Sequence, residues 1–277
     1  MLTEASPGNG DIATRSWQAL LRAAIRTPSE LLSYLELSPS QIAELQPADT
    51  EFPLLVPMGF AARMRKRDPR DPLLRQVLPI AAELDTVAGF GEDPLEELTV
   101  AHGGVLCKYA SRALLITTAA CPVHCRYCFR RHFPYADQLA SRQDWLATLG
   151  DAPELSEIIL SGGDPLSLSN ERLSTLLAQI ELLPQVDTLR IHSRFPIVLP
   201  ERIDRGLLGL LERTRLTVVV VAHCNHPQEI DESVADAFGA LRSAGAMLLN
   251  QSVLLNGVND DAAVLAALSR RLFAAGD

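Results

Sequence analysis

Cys121, Cys125 and Cys128 stand in the run Cys-Pro-Val-His-Cys-Arg-Tyr-Cys, a C-x3-C-x2-C spacing on one short stretch of chain. Three thiolates so placed can each take one iron of a [4Fe–4S] cluster and leave the fourth iron without a protein ligand. An open iron can chelate the amino and carboxylate groups of S-adenosyl-L-methionine, and an electron passed into the sulfonium then releases a radical. The competing reading is structural zinc, with His124 or His132 completing the set. Structural zinc ordinarily draws on two separated ligand pairs, and the remaining cysteines, Cys107 and Cys224, stand singly. Those two read as buried or incidental thiols.

A second candidate is Ser161-Gly162-Gly163-Asp164-Pro165, directly after the apolar run Glu157–Leu160. Two glycines let a backbone pass close to a ligand. Alone, the same residues also read as a turn before a helix.

The elements that position these residues follow from periodicity. Residues 113–118, 157–160, 188–192, 216–223 and 246–255 read as strands, and amphipathic helical stretches near 170–182, 200–213, 231–244 and 260–274 separate them. Such alternation implies a parallel sheet with the cysteine loop at a strand's C-terminal end, where barrel enzymes keep their chemistry. Five such units make an open crescent, and Gly276 is a candidate C-cap for the last helix. Upstream, Thr27-Pro-Ser-Glu30 and Ser38-Pro-Ser-Gln41 each predict a capped helix start, and Asp71-Pro72 and Asp93-Pro94 open further short helices. The expected organisation is a mobile tail at 1–14, a helical segment at 15–100 and a catalytic α/β unit at 101–277.

Composition sets the outer bounds. The chain has 277 residues, 47% of them hydrophobic, and a formal charge of −9. That balance argues against indiscriminate nucleic-acid binding, which rests on neutralising phosphates. No apolar run is long enough for a membrane span, and the N-terminus lacks a secretory pattern. Clustered cysteines without an export signal point to metal binding and to the cytoplasm.

Taken together, HGGVLCKYASRALLITTAACPVHCRYCFRRHFPY, LSGGDPL, LRIHSRFPIVLPERI, AHCNHPQEID and LNQSVLLNGVND resemble the lysine 2,3-aminomutase family of radical S-adenosylmethionine enzymes. PSELLSYLEL and DPLLRQVLP look most like its shorter branch, which serves elongation factor P. The resemblance implies an isomerase that moves the amino group of L-lysine from Cα to Cβ, using the cluster, S-adenosyl-L-methionine and pyridoxal 5′-phosphate. It also implies a β-lysine ligase and elongation factor P as downstream partners, and a reduced flavodoxin or ferredoxin-type electron donor; a homo-oligomer is compatible with it. A free-lysine aminomutase of amino-acid metabolism, or a truncated cluster-binding remnant without turnover, are the alternatives. The fold implied is α/β, a partial, open TIM-like (β/α) barrel of the radical S-adenosylmethionine type, with the final strand and C-terminal segment missing.

Carried over by position, Cys121, Cys125 and Cys128 hold the cluster. Gly162, Gly163 and Asp164, then His192, Ser193 and Arg194, lie along S-adenosyl-L-methionine. Arg112 meets the pyridoxal phosphate group, Arg130 grips the substrate carboxylate and Asp260 pairs with its ε-ammonium. Arg130 with Arg131 also reads as a solvated basic edge, and Asp260 as a helix N-cap. His223 and His226 read as ordinary hydrogen-bonded histidines, and Lys108 and Tyr109 as pocket residues without a fixed role. The family's pyridoxal lysine has no counterpart, because no lysine follows Lys108.

Overall fold

The computed structural model describes residues 16–276, apart from 49, 100, 103, 137 and 140–144. The expected tail at 1–14 lies outside the described residues. Four short helices lead the chain: α1 (Trp17–Arg22), α2 (Pro28–Tyr34), α3 (Pro39–Leu45) and α4 (Met58–Ala62). Two of them start as their residues dictate. Thr27 Oγ1 accepts from the Glu30 amide while the Glu30 carboxylate accepts from the Thr27 amide, and Ser38 and Gln41 repeat the exchange. Each pair satisfies amides that the first helical turn cannot.

A seven-stranded sheet follows, its strands in chain order from one edge to the other. β1 (Ala101–His102) and β2 (Val105–Tyr109) form an antiparallel hairpin, and β2 runs antiparallel to β3 (Arg112–Thr118). From β3 every pairing is parallel, through β4 (Glu157–Gly162), β5 (Thr188–Ser193), β6 (Thr217–His223) and β7 (Met247–Gln251). The sheet is mixed α/β, mostly parallel and not closed. The five parallel strands are those the sequence predicts; the hairpin ahead of them is not.

Alternation divides the two faces. Ala113, Leu115, Ile158, Leu160, Leu189, Ile191, Val218, Val220 and Leu248 enter one continuous apolar core. Against them pack Trp145 and Leu149 of α5 (Trp145–Gly150), Leu173, Leu177 and Ile180 of α6 (Asn170–Glu181), together with α7 (Phe195–Val198) and with Leu207 and Leu211 of α8 (Arg205–Arg213). Val234, Phe238 and Leu241 of α9 (Glu232–Ser243) and Leu268 and Leu272 of α10 (Ala262–Ala275) complete that layer. Each such side chain contributes about 1.5–3 kcal/mol by leaving water. Trp17, Leu31, Phe60 and Leu74 join the same core, so the leading helices share it.

Three boundaries differ from expectation. The helix anticipated over 200–213 divides, because the Asp204 carboxylate accepts from the Leu207 amide (2.8 Å) and starts α8 afresh. The strand anticipated over 246–255 stops at Gln251, because the Val253 amide turns to Asn225 Oδ1 (2.9 Å). The last helix is capped by Asp261 rather than Asp260 and ends, as expected, at Gly276 with φ +99°.

A buried polar network ties the leading segment to the sheet. Gln76 is 1% exposed; its amide donates to Glu229 (3.0 Å) and its oxygen accepts from Arg194 (2.9 Å) and Asn225 (2.9 Å). Arg194 also pairs with Glu229 at 3.1 Å, both side chains being almost wholly buried. Burial works against the Arg194 charge, but Glu229, with Tyr127, Cys125 and Cys224 behind it, outweighs it and holds the guanidinium pKa above its ordinary value. Removing one partner strands a buried charge. Glu229→Ala is therefore expected to lower unfolding free energy by about 3–5 kcal/mol in urea titrations, whereas Arg67→Met, which breaks an exposed pair with Glu36, is expected to cost less than about 1 kcal/mol.

Candidate functional site

Parallel pairing brings the C-terminal ends of β3 to β7 to one edge, and a cavity of about 340 Å³ opens there. Its walls include Cys121, Cys125, Cys128, Arg130, Gly162, Gly163, Asp164, His192 and Arg194. Ser193, Arg112 and Asp260 are not among its lining residues. Ser193 is fully buried, its hydroxyl turned to Asp164. The Asp260 carboxylate accepts from the Gly257 amide (2.9 Å) in its own turn, so the structure does not bring it to the cavity. Arg112 stands at the opposite end of β3 and pairs with Glu157 at 2.9 Å.

Both glycines line the cavity, and the backbone packed against them leaves no room for a side chain at either position. A Cβ on Gly162, whose φ is +125°, would meet Thr118 O at 2.6 Å, and one on Gly163 would strike the backbone of Ala119 and Ala120. The glycines thus admit the backbone that leads into Cys121, locked by Gly163 N to Thr118 O (2.6 Å) and Asp164 N to Ala120 O (2.8 Å). Asp164 then anchors the next strand end: its carboxylate accepts from the amides of Leu166 (3.0 Å) and Arg194 (2.7 Å) and from Ser193 Oγ. Burial raises its pKa to about 6 against those hydrogen bonds.

Arg130 is buried rather than a solvated edge. Its Nε and Nη2 grip Glu97 at 2.6 and 2.8 Å, and its Nη1 donates to Ser161 Oγ at 2.8 Å. A carboxylate of the chain itself therefore occupies a bidentate edge of this guanidinium. Arg194 donates to His223 O (2.5 Å) and Gln76, while its Nε is buried without a partner among the described residues. His192 Nδ1 and His223 Nε2 meet at 3.3 Å. Burial pushes His192 down to about 4, helped by the Arg190 charge, and His223 down to about 3, helped by His192. Both imidazoles are neutral near pH 7.

Burial raises the pKa of Cys121 well above the usual thiol value, with Asp164, Cys128 and Cys125 adding to it, and burial raises Cys128 too. A coordinating metal reverses that balance through its own charge. Among the described residues no three His, Cys, Asp or Glu side chains gather closely enough to hold a single metal ion. A polynuclear cluster takes one thiolate per iron and needs three sulfurs around a shared cavity, which is what this donor set offers. The unpartnered Arg194 Nε fits an anionic group in the same cavity. The lysines of the chain lie elsewhere: Lys66 bonds to Tyr34 O, and Lys108 to Leu95 O at 2.5 Å.

Glu97, Gln76, Asn225 and Gln251 are site residues that sequence reasoning missed. Their partners come from distant segments; Gln76, Asn225 and Gln251 lie inside the runs DPLLRQVLP, AHCNHPQEID and LNQSVLLNGVND, whereas Glu97 carried no local signal.

No family model matches the chain. It is 46% identical over 264 residues to the L-lysine 2,3-aminomutase of Escherichia coli strain K12, covering 94% of this chain and 77% of that protein. With the L-lysine 2,3-aminomutase of Haemophilus influenzae it shares 42% over 266 residues, covering 95% and 79%. With that of Clostridium subterminale it shares 34% over 267 residues, covering 95% and 64%.

The histidine pair yields a pH test. Below pH 6.5 the unfolded chain binds protons that the folded pair resists, so stability falls as pH drops from about 6.5 towards 4. Urea midpoints at pH 7 and pH 5 are expected to show the loss, and the His192→Asn/His223→Asn variant is expected to lose part of that pH dependence.

Proposed function

This chain belongs to the lysine 2,3-aminomutase family, and from that membership we propose that it converts L-lysine to β-lysine by radical-initiated migration of the amino group on a (β/α) scaffold of the radical S-adenosylmethionine type. The observation that carries the reading is the convergence of Cys121, Cys125, Cys128, Gly163, His192 and Arg194 on one cavity. Cys121, Cys125 and Cys128 would hold a [4Fe–4S] cluster. When bound, that cluster would supply the electron that opens S-adenosyl-L-methionine, and pyridoxal 5′-phosphate would carry the migrating nitrogen.

The rest is the work of the chain's own side chains. Arg194 Nε is the donor on offer to the carboxylate of S-adenosyl-L-methionine, and Arg130 to that of the substrate, in exchange for Glu97. Neutral His192 and His223 supply hydrogen bonds without adding charge. Leu95, Leu114, Val123, Phe129 and Val253 line the cavity and exclude water from a reactive radical. Arg112 is the contact proposed for the cofactor phosphate. Asp260 is assigned no part, and no lysine of this chain is assigned the covalent link to the cofactor.

We assign the β-lysine to elongation factor P, attached by a separate ligase; the fuller coverage of the two shorter relatives supports this over the free-lysine pathway. The electron would come from a small acidic redox protein in the cytoplasm.

Anaerobic reconstitution tests the proposal. About four irons and four sulfides per chain, with β-lysine formed from lysine and transferred when ligase and elongation factor P are added, are the expected results; one zinc and no sulfide would sink it. Arg130→Met is expected to lower kcat/KM for lysine about a hundredfold, the loss of roughly 2.7 kcal/mol of carboxylate recognition.

A further inference from the structure

The cysteine run has its own grip on the leading segment. Between Cys121 and Cys125, the His124 amide donates to Leu55 O (3.1 Å) and the ring donates through Nδ1 to Pro53 O (2.8 Å), a carbonyl that can only accept. Between Cys125 and Cys128, the Arg126 amide donates to Gln76 O (2.9 Å). The Arg126 side chain, 7% exposed, reaches Phe52 O (2.9 Å), Thr50 Oγ1 (3.0 Å) and both oxygens of Glu83. All these partners lie in residues 50–83, ahead of the sheet.

Glu83 extends past that guanidinium to a second. Its Oε2 also accepts from Nη2 of Arg131 at 3.0 Å, and the Arg131 amide donates to Cys128 O at 3.4 Å. Arg126 and Arg131 flank Cys128 in the chain, so one carboxylate ties together the two sides of that ligand. Phe52 joins the same group. Its ring centroid lies 5.1 Å from the Arg126 guanidinium and 5.2 Å from that of Arg131, within cation–π range, and the ring stacks on His124 at 4.7 Å. Phe52 also lines the cavity.

Charge adds to the argument. Arg126, Arg130 and Arg131 pair with two carboxylates, Glu83 and Glu97, so the stretch that carries Cys128 keeps a positive excess. A half-buried excess of charge is costly unless something of opposite sign meets it. A cluster held by three thiolates is anionic, and reduction adds a further negative charge. Groups outside the ligands that orient them and set the local field govern both retention and potential.

We propose that Glu83 is a positioning residue of the cysteine loop. With Phe52 it holds Arg126 and Arg131 about Cys128, and so sets both the ligating geometry and the local charge that the cluster meets. The inference rests on the cluster reading and adds to it residues that ligate nothing.

Three readouts on the anaerobically reconstituted chain test this: the rate of iron loss to EDTA, the midpoint potential followed by electron paramagnetic resonance, and the urea midpoint of the metal-free protein. Glu83→Gln removes a negative charge beside the cluster and is expected to move the potential in the positive direction. Arg131→Met removes a positive one and is expected to move it in the negative direction. Iron loss is expected to quicken about tenfold in Glu83→Gln and in Phe52→Leu. Glu181→Gln, which takes a carboxylate from Thr214 just ahead of β6 at the other end of the sheet, controls for lost stability. It is expected to leave both cluster readouts at wild-type values. Shifts of the same sign in Glu83→Gln and Arg131→Met, or none, with iron loss following the urea midpoint in every variant, reduce these contacts to folding and overturn the inference. The cluster reading stands in that case, provided the wild type takes up iron and sulfide; a wild type that takes up neither overturns both.

Discussion

The approach of Gly162 and Gly163 to the backbone of residues 118–120 is the contact on which the rest of the site depends. A side chain at either position would occupy space that the incoming loop already fills. Backbone hydrogen bonds from Gly163 and Asp164 fix that loop to the end of β4, so the cysteine run begins from a defined point. Asp164 then reaches across to Ser193 and Arg194, so that three strand ends are registered by one short turn. The precision of the cavity comes from backbone packing; its chemistry comes from the side chains that such packing aims.

A second theme is how much charge the fold buries. Arg194, Glu229, Arg130, Glu97, Asp164 and Glu157 are all shielded from water, and each is matched by a partner. Buried pairs give little net stability, but they tolerate few alternative arrangements. Gln76 makes the point for the leading helices: one amide group joins Arg194, Asn225 and Glu229, so the N-terminal segment can dock in one way only.

Legibility in the sequence followed the range of the interaction. The capping boxes at Thr27 and Ser38 and the strands from β3 to β7 depend on neighbours within a few residues, and they read correctly. The β1–β2 hairpin did not, because its strands are short, β1 spanning only Ala101–His102. Asp204 falls inside the stretch near 200–213 that reads as one helix, yet it begins a new one. Gly162 and Gly163 were visible as necessary, but the backbone they accommodate is Thr118–Ala120, some forty residues away. Asp260 and Asp261 are indistinguishable by composition; which of them caps α10 is decided by the turn at Gly257. Glu97 gave no signal, since its partner Arg130 stands 33 residues further along the chain and the pairing exists only in the folded protein.

The Glu97–Arg130 pair turns recognition at that guanidinium into an exchange. An arriving carboxylate that displaces Glu97 swaps one anion for another, and the charge inventory of the interior is the same afterwards as before. A neutral or cationic visitor has no such trade to offer, since evicting Glu97 would leave Arg130 bare in a poorly hydrated place. A carboxylate that took Glu97's place would in that sense pass a charge-conserving turnstile, one negative group entering for each that left.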